Sequence, residues 1–342
     1  MNQPRPRVTA PAPTTVRRIL LTGGSSGIGL EAAARLSEAG HQLILPCRDA
    51  ESVARARRRL GPAAPTPLCD LADLNSVAAC CEELLAAAEP IDTLVLNAGM
   101  QYSGAREPRW SAQGFELTLA VNHLAHQALL QRLLPLLLRG TAPRLVITAS
   151  EVHDPEAPGG RVGRAAGLGD LAGLRPGGGA PMLAGGERFD AEKAYKDSKL
   201  CNLLMARELA RRLGRQGRAL PVLAWSPGLV IARGEGGFFR ESRRLNPLGQ
   251  GLFALLARDL LRLTETPQRA GALLAGLAAD PLPQAAGFQY WSNRVLGPGR
   301  LRFEPCQPSA EARDDALAER LWTLSAEAVG LSPPWGLEPL PD

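Results

Sequence analysis

Thr22-Gly23-Gly24-Ser25-Ser26-Gly27-Ile28-Gly29 follows the apolar run Arg18-Ile19-Leu20-Leu21 and opens into Leu30-Glu31-Ala32-Ala33-Ala34-Arg35-Leu36, where apolar residues recur at helical spacing until Gly40. The reading is strand, glycine loop, helix. Such a loop has two jobs: it turns sharply out of a strand, and it lets backbone amides approach a phosphate at a helix N-terminus, where the dipole and free N–H groups favour anions. Outward from it, Gln42-Leu43-Ile44-Leu45 closes a βαβ unit and ends at Cys47-Arg48-Asp49. Strand candidates follow at 66–69, 92–96, 144–149 and 221–225, each preceded by a helical stretch. That alternation predicts an α/β protein with a single Rossmann-type, doubly wound parallel sheet and helices on both faces.

The rest of the 342-residue chain sets the boundaries. With 45% hydrophobic and 21% charged residues it has the balance of a globular enzyme rather than of a disordered or fibrous protein. Residues 1–15 read as a flexible leader, 16–331 as the folded domain and 332–342 as a Pro-rich flexible tail. Within the domain, 151–192 is a long Gly/Pro-rich insertion and 232–265 a helical cap over the substrate side. In that cap Leu252, Leu255, Leu256, Leu260 and Leu263 fall near one helix face. Core packing, a substrate lid and a peripheral membrane contact through 251–263 are all compatible with it.

The net charge of 39 − 34 = +5 is spread along the chain apart from Arg55, Arg57, Arg58 and Arg59. No aromatic residues interleave with that cluster, so it reads as a solvated helix face and nucleic acid is not an expected partner. Six cysteines and four histidines show no metal-ligand spacing, so no metal is expected and the thiols are read as reduced. With no apolar run of the roughly 20 residues that span a bilayer and no secretory signal, the expected location is cytoplasmic.

Candidate chemistry gathers at two places. At the end of the second strand a dinucleotide site meets either a ribose 2′-hydroxyl or a 2′-phosphate, and the position carries Arg48. With Ser25 as a further hydroxyl donor this favours NADPH, unless Arg48 pairs with the adjacent Asp49 and leaves the choice open. The second place is Tyr195-Lys196-Asp197-Ser198-Lys199, where Tyr195 and Lys199 share one helix face. A phenol near pKa ~10 is a poor acid or base at neutrality, and a nearby ammonium brings it into working range. Only three of the 39 cationic residues are lysine: Lys193, Lys196 and Lys199. Lys193 and Lys196 are read as a solvated helix face and Lys199 as functional.

These motifs together resemble the short-chain dehydrogenase/reductase family over roughly residues 16–230. The resemblance implies that Gly23, Ser25, Ser26, Gly27, Ile28 and Gly29 form the cofactor loop, and that Asp70-Leu71 lies at the adenine. It further implies that Asn97-Ala98-Gly99 turns beside the cofactor and that Pro227-Gly228 lies near the nicotinamide carboxamide. Tyr195 and Lys199 then carry catalysis while contacting the cofactor, Ser150 orients substrate and Asn122 keeps a water in the proton relay. Within the family the likeness is to the light-dependent protochlorophyllide oxidoreductase branch, and next to retinol-dehydrogenase-like members. It is carried by Ala194 to Asn202, Gly169-Asp170-Leu171, Tyr290-Trp291-Ser292 and Val329-Gly330-Leu331. Where the pigment enzymes have Tyr-Pro-Gly-Cys, this chain has Ser226-Pro227-Gly228-Leu229. The expected activity is NADPH-dependent hydride transfer to a C=C or C=O of a small but bulky apolar substrate, protochlorophyllide being one candidate. Carbonyl reduction in the dark and a non-catalytic NADPH-binding sensor are the alternatives.

Overall fold

The computed structural model describes residues 15–331 except 176–179, 187, 232–237, 239, 248, 250, 252–254, 262 and 282–286. All but Thr15 of the expected leader, the whole 332–342 tail, Phe239 and Leu252 therefore lie outside the described residues.

Seven strands form one sheet in the order β2-β1-β3-β4-β5-β6-β7. They are β1 (Arg18–Leu21), β2 (Gln42–Ile44), β3 (Thr93–Leu96), β4 (Arg144–Thr148), β5 (Pro221–Ser226), β6 (Gly287–Gly297) and β7 (Arg300–Cys306). The first six are parallel, and β7 returns antiparallel along β6. Alternate residues of the inner strands serve two cores. Ile19, Leu21, Val95, Val146 and Leu223 face α1 (Gly27–Glu38) and α8 (Pro267–Ala279), while Leu20, Leu94, Leu96, Leu145 and Ile147 face the opposite helical layer. That layer holds α3 (Leu74–Ala87), α5 (Ala125–Leu138), α6 (Ala191–Arg215) and α9 (Asp315–Ala328). Burial on both faces explains why these strands read as unbroken apolar runs.

The expected strand at 66–69 is corrected to an isolated bridge between Cys47 and Leu68. Pro65 and Pro67 accept through their carbonyls from Leu45 N and Cys47 N at 2.9 Å, but a proline has no N–H to extend the ladder. Strands β6 and β7 were not among the sequence candidates.

The strand order reverses at β1, with β2 on one side and β3 on the other. Parallel crossovers leave in opposite directions there and open a crevice at the carboxyl ends of the strands. Two irregularities shape its floor. Between α4 (Leu117–Leu119) and α5 the helix passes through a π-helical turn, Ala120–Leu124, which carries Asn122. Asp190 caps α6 by accepting from Lys193 N at 2.9 Å, which fixes where that helix begins and hence which residues it presents to the crevice. Among the described residues no helix is long and apolar enough to cross a membrane.

Candidate active site

The glycine loop is built for close backbone approach. Gly23 adopts φ +71°, and a Cβ on Gly29 would lie 2.2 Å from the Gly23 carbonyl oxygen. Thr22 is its buried hub: its hydroxyl accepts from Asn97 N at 2.9 Å and Ala98 N at 3.0 Å and donates to His126 Nε2 at 3.1 Å. His126 Nδ1 donates to Asn122 O at 3.0 Å, and burial, with Lys199 adding to it, drives this imidazole down to about 3. It is a neutral spacer. The Asn97 side chain donates to Thr22 O and accepts from the Thr148 hydroxyl, which in turn accepts from Trp225 Nε1 at 2.9 Å. Thr22, Thr148 and Trp225 thus lock the loop to β3, β4 and β5; Thr22 stood in the glycine-loop motif without a stated role, and Thr148 and Trp225 were not singled out, because their roles lie in cross-strand contacts.

At the N-terminus of α1 the Ser26 side chain makes no capping bond and no acidic residue occupies the first turn. Unspent N–H groups over a cradle that admits no side chain fit the pyrophosphate of a dinucleotide. Arg48 lines the same cleft, half-exposed, and pairs with Asp49 at 2.9 Å. Asp49 also accepts from the Ser52 hydroxyl and amide; these bonds, with Arg48, hold its carboxyl well below the usual carboxylate range. Arg55 joins Arg48 on this wall. Asp70 and Leu71 line it too, with Asp70 accepting from Ala72 N at 3.0 Å.

At the other end, Lys199 and Tyr195 project from consecutive turns of α6, with the ammonium over the phenol ring at 5.6 Å from its centroid. Lys199 is 2% exposed and donates to Thr148 O at 3.0 Å. Burial lowers it to about 7. Tyr195 is half-buried and packs at a tilt of 55° against Phe238, 5.0 Å between centroids. Burial raises its phenol above the usual value and the Ser150 hydroxyl pulls the other way. Ser150 lies two residues beyond β4 and also faces the cleft. Its carbonyl accepts from His153 Nδ1 at 2.6 Å, and His153 Nε2 accepts from Ser309 N. His153 therefore fixes the backbone that carries Ser150.

Asn122 is fully buried behind the cleft wall. Its amide exchanges bonds with Met100, accepting from the N–H at 2.8 Å and donating to the carbonyl at 3.0 Å, and it also donates to Ser198. A Cβ on Gly99 would lie 3.4 Å from both Asn122 Oδ1 and Lys199 Nζ, so these groups flank Gly99. Pro227 and Gly228 face the cleft, held by Asn293, which donates to Pro227 O at 3.2 Å. Ser226 turns inward and accepts from Glu151 N at 3.1 Å. Leu229 lines the cleft where the pigment branch carries cysteine.

The cleft has a volume of about 2560 Å³. This exceeds the roughly 300–1,000 Å³ of a pocket for one drug-sized ligand, so a dinucleotide and a bulky second molecule both have room. The substrate end is walled by Val162, Leu229, Val230, Phe238 and Leu263, with Arg109 and Arg240 paired to Glu241 at the rim. In the cap, Leu255 and Leu260 are 55% and 68% exposed, on a π-helical stretch rather than a packed α-helical face. Lys193 and Lys196 are corrected from solvated to buried, at 5% and 4% exposure. The insertion folds back over them, which no helical pattern reveals.

The sequence profile described as short chain dehydrogenase matches residues 17–162. Protochlorophyllide reductase A, chloroplastic, of Oryza sativa subsp. japonica is 36% identical over 323 residues, covering 92% of this chain and 80% of that one. Protochlorophyllide reductase of Avena sativa is 35% identical, covering 92% and 100%. Among solved structures, an uncharacterised protein from Mycobacterium Paratuberculosis superposes with a TM-score of 0.64 at 28% identity, covering 93% and 95%. The chain belongs to the short-chain dehydrogenase family and is an oxidoreductase; Arg48 is paired with Asp49, the arrangement that leaves the choice of dinucleotide open. Within that family it is similar to the protochlorophyllide reductases over most of its length.

Proposed function

We propose that this enzyme reduces a C=C or C=O bond of a bulky apolar substrate, with protochlorophyllide the first candidate. The observation that carries the reading is the continuity of one cleft from the glycine loop, past Tyr195 and Lys199, to the apolar wall of Val162, Leu229 and Phe238. NADPH, when bound in the cradle, would supply the hydride. Arg48 and Arg55 would hold its 2′-phosphate, and the α1 N-terminus its pyrophosphate. Tyr195 delivers the proton, and a phenol that burial keeps protonated suits the reductive direction. Ser150 donates a hydrogen bond that orients the substrate. Lys199, anchored on Thr148 O, holds the ribose side of the site and passes a proton toward Tyr195. Asn122 supports that relay from behind Gly99. Phe238, set against the Tyr195 ring, shields it from water on that side.

Ser226 and Leu229 favour a second reading, dark reduction of an apolar aldehyde or ketone, because the Ser226 hydroxyl is buried against Glu151 N and Leu229 has no thiol, so neither presents to the cleft the phenol or thiol of the pigment branch. The deciding experiment follows NADPH consumption with protochlorophyllide under illumination and in darkness, and with retinal and apolar ketones in darkness. Light-dependent conversion of protochlorophyllide supports the first candidate. Dark carbonyl turnover alone replaces it with the second reading, and NADPH binding without turnover of any compound leaves a cofactor-binding sensor.

A further inference from the structure

Arginine carries all but three of the chain's cationic side chains, and those three lysines fall within two turns of α6. All three are buried, and each donates to backbone carbonyls. Lys199 belongs to the site above. Lys193 bonds Gly167 O at 2.7 Å and pairs with Asp197 at 2.7 Å, while Asp197 accepts from Gly167 N at 2.9 Å. Lys196, next to Tyr195 in sequence, donates to three carbonyls of the insertion: Gly160 at 3.0 Å, Val162 at 2.5 Å and Arg164 at 2.9 Å.

Carbonyls of alternate residues converging on one point demand a compact group with three diverging N–H bonds. An ammonium provides that; a planar guanidinium spreads its donors along a fork and cannot aim three of them at one focus. Burying a cation is tolerable only when its donors are fully used, as here. The core does not need the segment so fixed, since Val162 is 73% exposed and the neighbouring arginines are exposed. The cleft does: Pro158, Gly159 and Val162 line it beside Tyr195, as does Lys196 itself. The segment is also tightly folded, for a Cβ on Gly160 would lie 1.8 Å from Asp154 O.

We propose that Lys196 is a positioning residue for substrate: its ammonium clamps residues 160–164 onto α6 and so sets the substrate-side wall next to Tyr195. The turnover arm of its test rests on the reductase reading; the proteolysis arm does not. Lys196→Met and Lys196→Arg are compared with the wild-type enzyme for tryptic cleavage after Arg161 and Arg164, NADPH affinity, KM and kcat. Both variants are expected to be cut at these two sites about tenfold faster, with KM raised about tenfold, since orphaned carbonyls leave the wall unfixed. NADPH affinity and kcat stay within about threefold, because the groups that act on cofactor and proton remain in place. Wild-type cleavage rates in either variant overturn the clamp, and so does an Arg variant that behaves as wild type. A fall in kcat at unchanged KM overturns the assignment to substrate. Faster cleavage in the variants with no turnover by the wild-type enzyme would instead remove the reductase reading and leave the clamp standing.

Discussion

The Lys199 ammonium sits over the face of the Tyr195 ring, 5.6 Å from its centroid, and spends a hydrogen bond on Thr148 O at 3.0 Å. Burial acts on the two groups in opposite senses: it keeps the phenol protonated and weakens the hold of the amine on its proton, which sits at about 7. The phenol is thereby held in its protonated form as a weaker acid than a free one, opposite to the lowering expected from a nearby ammonium, and the lysine beside it exchanges a proton near neutrality.

Tyr195→Phe removes only the hydroxyl and keeps the ring that packs on Phe238. NADPH affinity should be unchanged while kcat falls by about 10²–10⁴, the usual scale of a lost general acid. Fluorescence titration of NADPH beside a single-turnover assay measures both. Retained turnover removes Tyr195 from the chemistry.

Gly29→Ala places a methyl group where the Gly23 carbonyl already lies, 2.2 Å from the ideal Cβ. The loop must open, and the α1 N–H groups lose their aim at the phosphates. NADPH affinity is expected to fall by at least about 100-fold, two bonds to charged groups at roughly 1.5 kcal/mol each. Isothermal titration checks it; wild-type affinity would show that the phosphates sit elsewhere.

Much of this was legible in the chain. Glycines between an apolar run and an amphipathic helix fix the βαβ unit, and a four-residue spacing puts Tyr195 and Lys199 on one face, because both depend only on local geometry. Thr22 was not legible as a hub, since its partners Asn97 and His126 come from distant segments. Lys193 and Lys196 look solvated by pattern, and only the return of the insertion over α6 buries them. The 66–69 segment has strand-like residues, yet its prolines deny the ladder its donors.

Arg48→Ala separates cofactor choice from cofactor binding. The guanidinium is already paired with Asp49, so its removal leaves Asp49 its capping bonds to Ser52 and the fold intact. NADPH should bind about tenfold or more weakly, the loss of one charge-assisted bond, with NADH unaffected. Equal weakening of both cofactors, measured by the ratio of their Kd values, would place Arg48 away from the 2′-phosphate.

The depressed Lys199 also leaves a mark on stability. A free lysine holds its proton up to 10.5, whereas folding brings Lys199 to about 7. Between these values the unfolded chain binds a proton that the folded chain does not, so unfolding free energy rises with pH across that window; below pH 7 both states are protonated and the full cost of the buried charge remains. Lys199→Met has no such proton. In cofactor-free protein the variant should therefore be more stable than wild type near neutrality, with the advantage shrinking as pH climbs toward the free-lysine value. Tyr195 does not disturb the comparison there, because a phenol raised by burial departs from its unfolded counterpart only above about pH 10. Urea midpoints of both proteins across this range give the difference directly. A gap that stays constant with pH would mean that Lys199 titrates as an ordinary lysine and that its burial costs nothing to the charged form.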